Sequence, residues 1–194
     1  METLLTLSRF IDALNERIGR SVYWLILVMA IISTLNAVFR KLFNMSSNAF
    51  LEIQWYLFAA VFLLAAGYTL LRNEHVRIDV IASKFSKQGQ IWIDIIGTVC
   101  FLFPLTLVVL YDSWPYFVTS FTSQEGSSNP GGLIVWPVKL LIPLGFFLLF
   151  LQGVSQLVKL IGALQGRGDV GGLLKHHTVA EDAVELAVGE HKND

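Results

Sequence analysis

The chain has 194 residues, of which 54% are hydrophobic and only 15% charged, with a mean hydropathy of +0.60. An ordinary soluble domain is about 45–50% apolar and about 25% charged, so both departures favour lipid over water as the solvent. A single cysteine, Cys100, excludes an internal disulfide framework and any multi-cysteine metal site. The net charge of −1 divides into +2 for the first 164 residues and −3 for the last thirty, and no strongly basic surface invites nucleic acid.

The chain opens on an amphipathic helix over residues 1–20. Leu4, Leu7, Phe10, Ile11, Leu14 and Ile18 recur at helical spacing against Arg9, Asp12, Glu16 and Arg17, the pattern of a helix lying in a membrane interface. A signal peptide is the competing reading, but charges interrupt the apolar stretch and no small-residue cleavage site precedes the first span. Residues 21–164 form the membrane domain, with apolar runs at 22–39, 50–71, 91–111 and 133–151, the last continuing as helix towards 164. Each covers a hydrocarbon core of about 30 Å at about 1.5 Å per residue. Barrel strands would be about 9–11 residues with period-2 alternation, which these runs lack. Ile78, Ile81, Ala82 and Phe85 form a second amphipathic stripe between spans two and three. Residues 165–194, opening with Gly166, Gly168, Gly171 and Gly172, read as a flexible polar tail.

Basic residues set the orientation, because Lys and Arg are retained on the cytoplasmic side. Eleven fall on one side: Arg9, Arg17, Arg20, Arg72, Arg77, Lys84, Lys87, Lys159, Arg167, Lys175 and Lys192. The other side has Arg40 and Lys41, and the segment from Asp112 to Gly132 has none. Both termini are therefore expected in the cytoplasm. The fold class that follows is an all-α integral membrane protein of four transmembrane helices, with short interfacial helices attached.

The four histidines, His75, His176, His177 and His191, lie outside the predicted spans, which removes the axial ligands a bundle cytochrome needs. No GxSxG, HExxH or P-loop pattern occurs, so catalytic residues, cofactors and metal ligands are all expected to be absent. Polar groups within spans are few: Asn36, Glu52, Gln54, Asp94, Lys139 and Gln152. They sit near the two interfaces with apolar stretches between, which suits helix register better than an ion path. Glu52 and Lys139 lie at matching depths near the outer ends of spans two and four. A direct ion pair is expected there, or a pair between Glu52 and a base on another protein; independent snorkelling of Lys139 and capping by Glu52 is the bland alternative. Pro104, Pro137 and Pro143, with Gly145 and Gly153, favour docking against a partner, with a kinked internal contact as the alternative for any one of them, since freed carbonyls and bare backbone need neighbouring protein.

Two stretches carry a resemblance. Glu52-Ile53-Gln54-Trp55-Tyr56-Leu57 and the string from Leu71 through His75, Arg77 and Asp79 to Val80 resemble the small membrane subunit of tripartite ATP-independent periplasmic (TRAP) transporters. So does the run from Ser127-Ser128-Asn129-Pro130-Gly131-Gly132 through Pro137 and Lys139 to Pro143, Gly145, Gln152 and Gly153. The similarity spans roughly residues 10–164. It implies an inner-membrane scaffold packed beside a large membrane subunit that carries the substrate and sodium sites. A periplasmic substrate-binding protein would deliver the substrate, commonly an organic acid. The resemblance marks Glu52, Gln54, His75, Arg77, Asp79, Asp94, Pro137, Lys139, Pro143, Gly145, Gln152 and Gly153 as subunit-interface or structural residues and assigns no catalytic one. The alternative is a self-sufficient small homo-oligomeric transporter or channel; a membrane enzyme is a third reading, disfavoured by the missing intramembrane histidines.

Overall fold

The computed structural model describes residues 2–43, 47–72 and 86–165. The expected amphipathic helix at 78–85, the polar tail, and His75, Arg77 and Asp79 lie outside the described residues. Five α-helices follow one another: α1 (Glu2–Phe43), α2 (Asn48–Leu71), α3 (Lys87–Gly97), α4 (Phe103–Thr122) and α5 (Trp136–Leu164). A single π-helical segment, Thr98–Leu102, welds α3 to α4. Four continuous helical rods are long and apolar enough to cross a membrane: 3–43, 48–71, 88–122 and 136–164.

Local chemistry explains where these rods begin and change character. Ser47 and Ser86 cap α2 and α3, their hydroxyls accepting the backbone N–H of Ala49 and Gly89, each at 3.3 Å. Pro137 occupies the first turn of α5, where a missing N–H costs nothing. Pro104 has no N–H to give the carbonyl of Cys100. Immediately before it the ladder slips a residue, and the Phe103 N–H bonds the Thr98 carbonyl instead.

Two expected boundaries differ. The third span was expected to end at Tyr111, but α4 runs on to Thr122. Asp112 breaks the apolar run without breaking the helix, and the hydrogen-bond ladder continues through it. The amphipathic opening helix and the first span are one unbroken 42-residue rod, about 63 Å long. Its inward face mixes polar and small groups with Ile11 and Val22. Ser8, Ile11, Asn15, Gly19 and Val22 are buried, while Leu4, Leu7 and Phe10 stay exposed. In lipid the apolar stripe has no need of a protein partner, so polar and small groups line the contact.

Helix α5 is the centre of the bundle, touching each of the other helices. Helices α1 and α2 pack together on one flank, and α4 lies on the other, touching α5 but neither α1 nor α2 to any extent. Close approach depends on glycine. A methyl added at Gly145 of α5 would lie 2.7 Å from the Leu63 carbonyl oxygen of α2, and one at Gly19 of α1 would strike the Tyr68 ring at 2.2 Å. On α4 the contact stripe is Thr106, Ser113 and Ser120, three buried small polar residues seven apart. The hydroxyls of Thr106 and Ser113 turn back onto their own helix, to the Leu102 carbonyl at 2.9 Å and the Leu110 carbonyl at 3.5 Å.

Candidate functional site

Two polar layers cross the bundle, one at each end, and among the described residues they hold the side-chain hydrogen bonds that join one element to another. The outer layer is built around Glu52, buried in the first turns of α2. The chain between α4 and α5 folds over it as a small hairpin, with Gly126 bridged to Ile134. Ser127 N–H donates to Leu133 O and Val135 N–H to Glu125 O, both at 2.9 Å. Gly131 takes a positive φ of 72° at the tip, a conformation that suits its lack of a side chain. The hairpin then spends its donors on one carboxylate. Ser127 Oγ and Asn129 Nδ2 (2.9 Å) bond Glu52 Oε1, and Leu133 N–H bonds Oε2 at 2.6 Å. Asn48 Nδ2 adds a bond to the Pro130 carbonyl at 2.9 Å, and Tyr56 Oη one to the Ile134 carbonyl at 3.2 Å.

The expected Glu52–Lys139 pair does not form. Lys139 bends back to Glu125 at the start of the hairpin, Nζ to Oε2 at 2.5 Å, with its ammonium 3.9 Å from the Tyr116 ring centroid. Position along the chain cannot say which of two nearby carboxylates a lysine meets. The hydrogen bond from Lys139 holds the Glu125 carboxyl below its ordinary range. Both charges are thus matched inside the chain, one by an ion pair and the other by three neutral donors.

The inner layer joins the first half of α1 to the last half of α5. Asp12 accepts from Ser155 Oγ at 2.7 Å and Gln152 Nε2 at 2.9 Å, and forms an ion pair with Lys159. Gln152 Oε1 in turn accepts from Asn15 Nδ2 at 2.9 Å, and Ser8 meets Ser155 hydroxyl to hydroxyl at 2.7 Å. Asn15, Gln152 and Ser155 are essentially inaccessible. Beside them Glu16 accepts from Arg20 (2.7 Å) and from Arg72 (3.1 Å), tying α1 to the end of α2. Buried polar networks of this kind demand one register, because any slip strands several donors at once.

The remaining sequence-derived positions fall in several places. Gln54 bonds the carbonyl of Phe50 in its own helix at 2.8 Å. Asp94 sits on α3, its carbonyl accepting from Thr98 Oγ1 at 2.8 Å. Pro143 is buried within α5. Gly153 lies where a methyl would meet Leu102 and Phe103 of the same chain at 2.8 and 3.0 Å. Ser8, Asp12, Asn15, Ser155, Lys159 and Glu125 were missed as site residues. A signal for the first three was present: Ser8, Asp12 and Asn15 share one face of α1 at i, i+4, i+7, alongside the apolar stripe.

The polar layers are built to lock helices rather than to bind or react. Between them the described rods present mainly apolar surface, with Asp112 of α4 exposed among it. Comparison with known proteins agrees with a helper role in transport. The chain belongs to the family of tripartite ATP-independent periplasmic transporters, DctQ component, whose model matches residues 29–163. That stretch takes in the outer end of the first rod and essentially all of the other three, so the chain is a multi-pass membrane protein and the small component of a TRAP-type transporter, a family of transport components rather than enzymes. No curated protein and no solved structure matches it.

Proposed function

We propose that this chain is the scaffold on which a large permease subunit is held in the bacterial inner membrane. That subunit carries out ion-coupled uptake, with sodium the expected ion, of an organic acid handed over by a periplasmic binding protein. The family match across residues 29–163 carries the reading. The disposition of polar groups supports it: Glu52, Lys139, Asp12 and Gln152 have their hydrogen bonds satisfied within the bundle, leaving no string of free polar groups along a path. A scaffold needs rigid rods and an apolar exterior, and α1, α2 and α4 supply both. The excess of Lys and Arg before span one, between spans two and three and after α5 supports cytoplasmic termini.

Reconstitution tests the reading. Vesicles containing the large subunit and this chain, supplied with the binding protein and a sodium gradient, should take up substrate. Omitting this chain should abolish uptake while the large subunit remains inserted. Transport by this chain alone would instead establish a self-sufficient homo-oligomer. In the same vesicles, cysteines placed at Gly126 and Asn44 should be labelled from the outside, and those at Lys84 and Lys175 only from the inside.

A further inference from the structure

The exposed flank of α4 carries a charge at the wrong depth for lipid. Asp112 is exposed, and it forms no hydrogen bond or ion pair with any described residue. Its level follows from the contacts between α4 and α5. Tyr116 lies against Lys139, and Phe103 against Phe150 at 5.0 Å, so Asp112 stands opposite the turn that ends at Pro143. Gly145 meets Leu63 of α2, which puts the same level near Ala60. Counting along α2, that is about 12 Å in from Glu52 and about 18 Å from Arg72, the middle of the bilayer. An aspartate is too short to snorkel over such a distance, and a carboxylate at this depth nearly always faces protein or water.

The surroundings of Asp112 describe what faces it. Phe101, Leu105, Val108 and Tyr116 share its side of the rod at helical spacing, each more than half exposed. They form an apolar stripe about 22 Å long, the footprint of one neighbouring helix. A second acceptor lies beside the charge, because Pro115 inside α4 has no N–H to give the Tyr111 carbonyl. The stripe therefore asks for a donor of positive charge. A second copy of this chain does not supply one. A two-fold pair would set Asp112 against Asp112, and the described cation nearest mid-depth, Lys139, is already held by Glu125.

We infer that this flank of α4 is the docking surface for a transmembrane helix of the large subunit, apolar along its length and carrying an Arg or Lys level with Asp112. This rests on the scaffold reading above, and the experiment separates the two. Tagged full-length chain is co-expressed with the large subunit, and the complex is recovered from solubilised membranes. Asp112→Leu and Asp112→Arg should each lower recovery of the large subunit by about tenfold or more. Asp112→Glu should restore most of it, and the variants should reach the membrane in normal amounts. In a Cys100→Ser background, Val108→Cys should crosslink to the large subunit. Full recovery with Asp112→Leu and Asp112→Arg would overturn the assignment while leaving the scaffold intact. So would a crosslink from Val108→Cys only to a second copy. If the unaltered chain recovers no large subunit, the scaffold reading fails and this surface with it.

Discussion

Replacing Gly145 by alanine probes a helix contact made against backbone. The added methyl carbon would lie 2.7 Å from the Leu63 carbonyl oxygen, 2.8 Å from its Cβ and 3.0 Å from its carbonyl carbon. Two of those three atoms are backbone, so no rotamer change relieves the overlap. Ordinary contact begins near 3.4 Å, and α2 and α5 must therefore part by about 0.7 Å. Overpacking of this kind costs roughly 1–3 kcal/mol. Alanine also favours helix over glycine by about 1 kcal/mol, which would mask part of the loss. Gly162→Ala on the same helix is the matched control, because a methyl there meets nothing within 4 Å. The difference between the two variants isolates the clash, and thermal unfolding of the purified chain in detergent reads it. Gly145→Ala should melt below Gly162→Ala by roughly 2–10 °C. Equal melting temperatures would mean that α2 and α5 are not in backbone contact at this point, and the register argued from it would fall.

Three other outcomes follow from the polar layers. Exchanging charges between Glu125 and Lys139 (Glu125→Lys with Lys139→Glu) should recover stability lost in either single variant, whereas Glu52→Lys with Lys139→Glu should recover none; melting temperatures of the six proteins decide it. In the inner layer, a double-mutant cycle on Asn15→Ala and Gln152→Ala should give a coupling of about 0.6–1.7 kcal/mol, the range known for hydrogen bonds between membrane helices, and a coupling near zero would contradict the observed bond. The third concerns acid. Glu125 has its folded-state pKa depressed by Lys139, so its contribution is complete above the ordinary carboxylate pKa and disappears as pH falls through the lowered value. Hydrogen exchange of the 123–135 amides should accelerate across that acid range in the native chain, and Glu125→Gln should flatten the dependence.

Much of this protein was legible before any coordinates. Four apolar runs and the near absence of intramembrane charge were enough to define a helical membrane protein, because lipid allows a chain so few ways to satisfy its backbone. Order and spacing of the Glu52, Pro137–Lys139 and Pro143–Gly153 strings pointed to the family that the match over residues 29–163 bears out. Gly145 and Gly153 were read as favouring a partner's approach, but Leu63 and the Leu102–Phe103 pair of this same chain meet them.

What the sequence left open concerned partners, and there the reason is physical. Hydropathy reports where a residue sits along the membrane normal but says nothing about azimuth. Glu52 and Lys139 were expected at matching depths, yet Glu52 is taken by the Ser127–Leu133 hairpin and Lys139 by Glu125. Only the folding of that hairpin over the helix ends decides between them. The same limit hid the Ser8, Asp12 and Asn15 face of α1. Amphipathic patterns are ordinarily read with the apolar side towards protein, but in a bilayer lipid covers that side and the polar side seeks Gln152, Ser155 and Lys159. Asp112, which as text closed the third apolar run, lies inside α4, which passes through it to Thr122. Depth along a helix was written in the sequence; the direction each polar group faces was settled by which neighbours the packed helices brought to it.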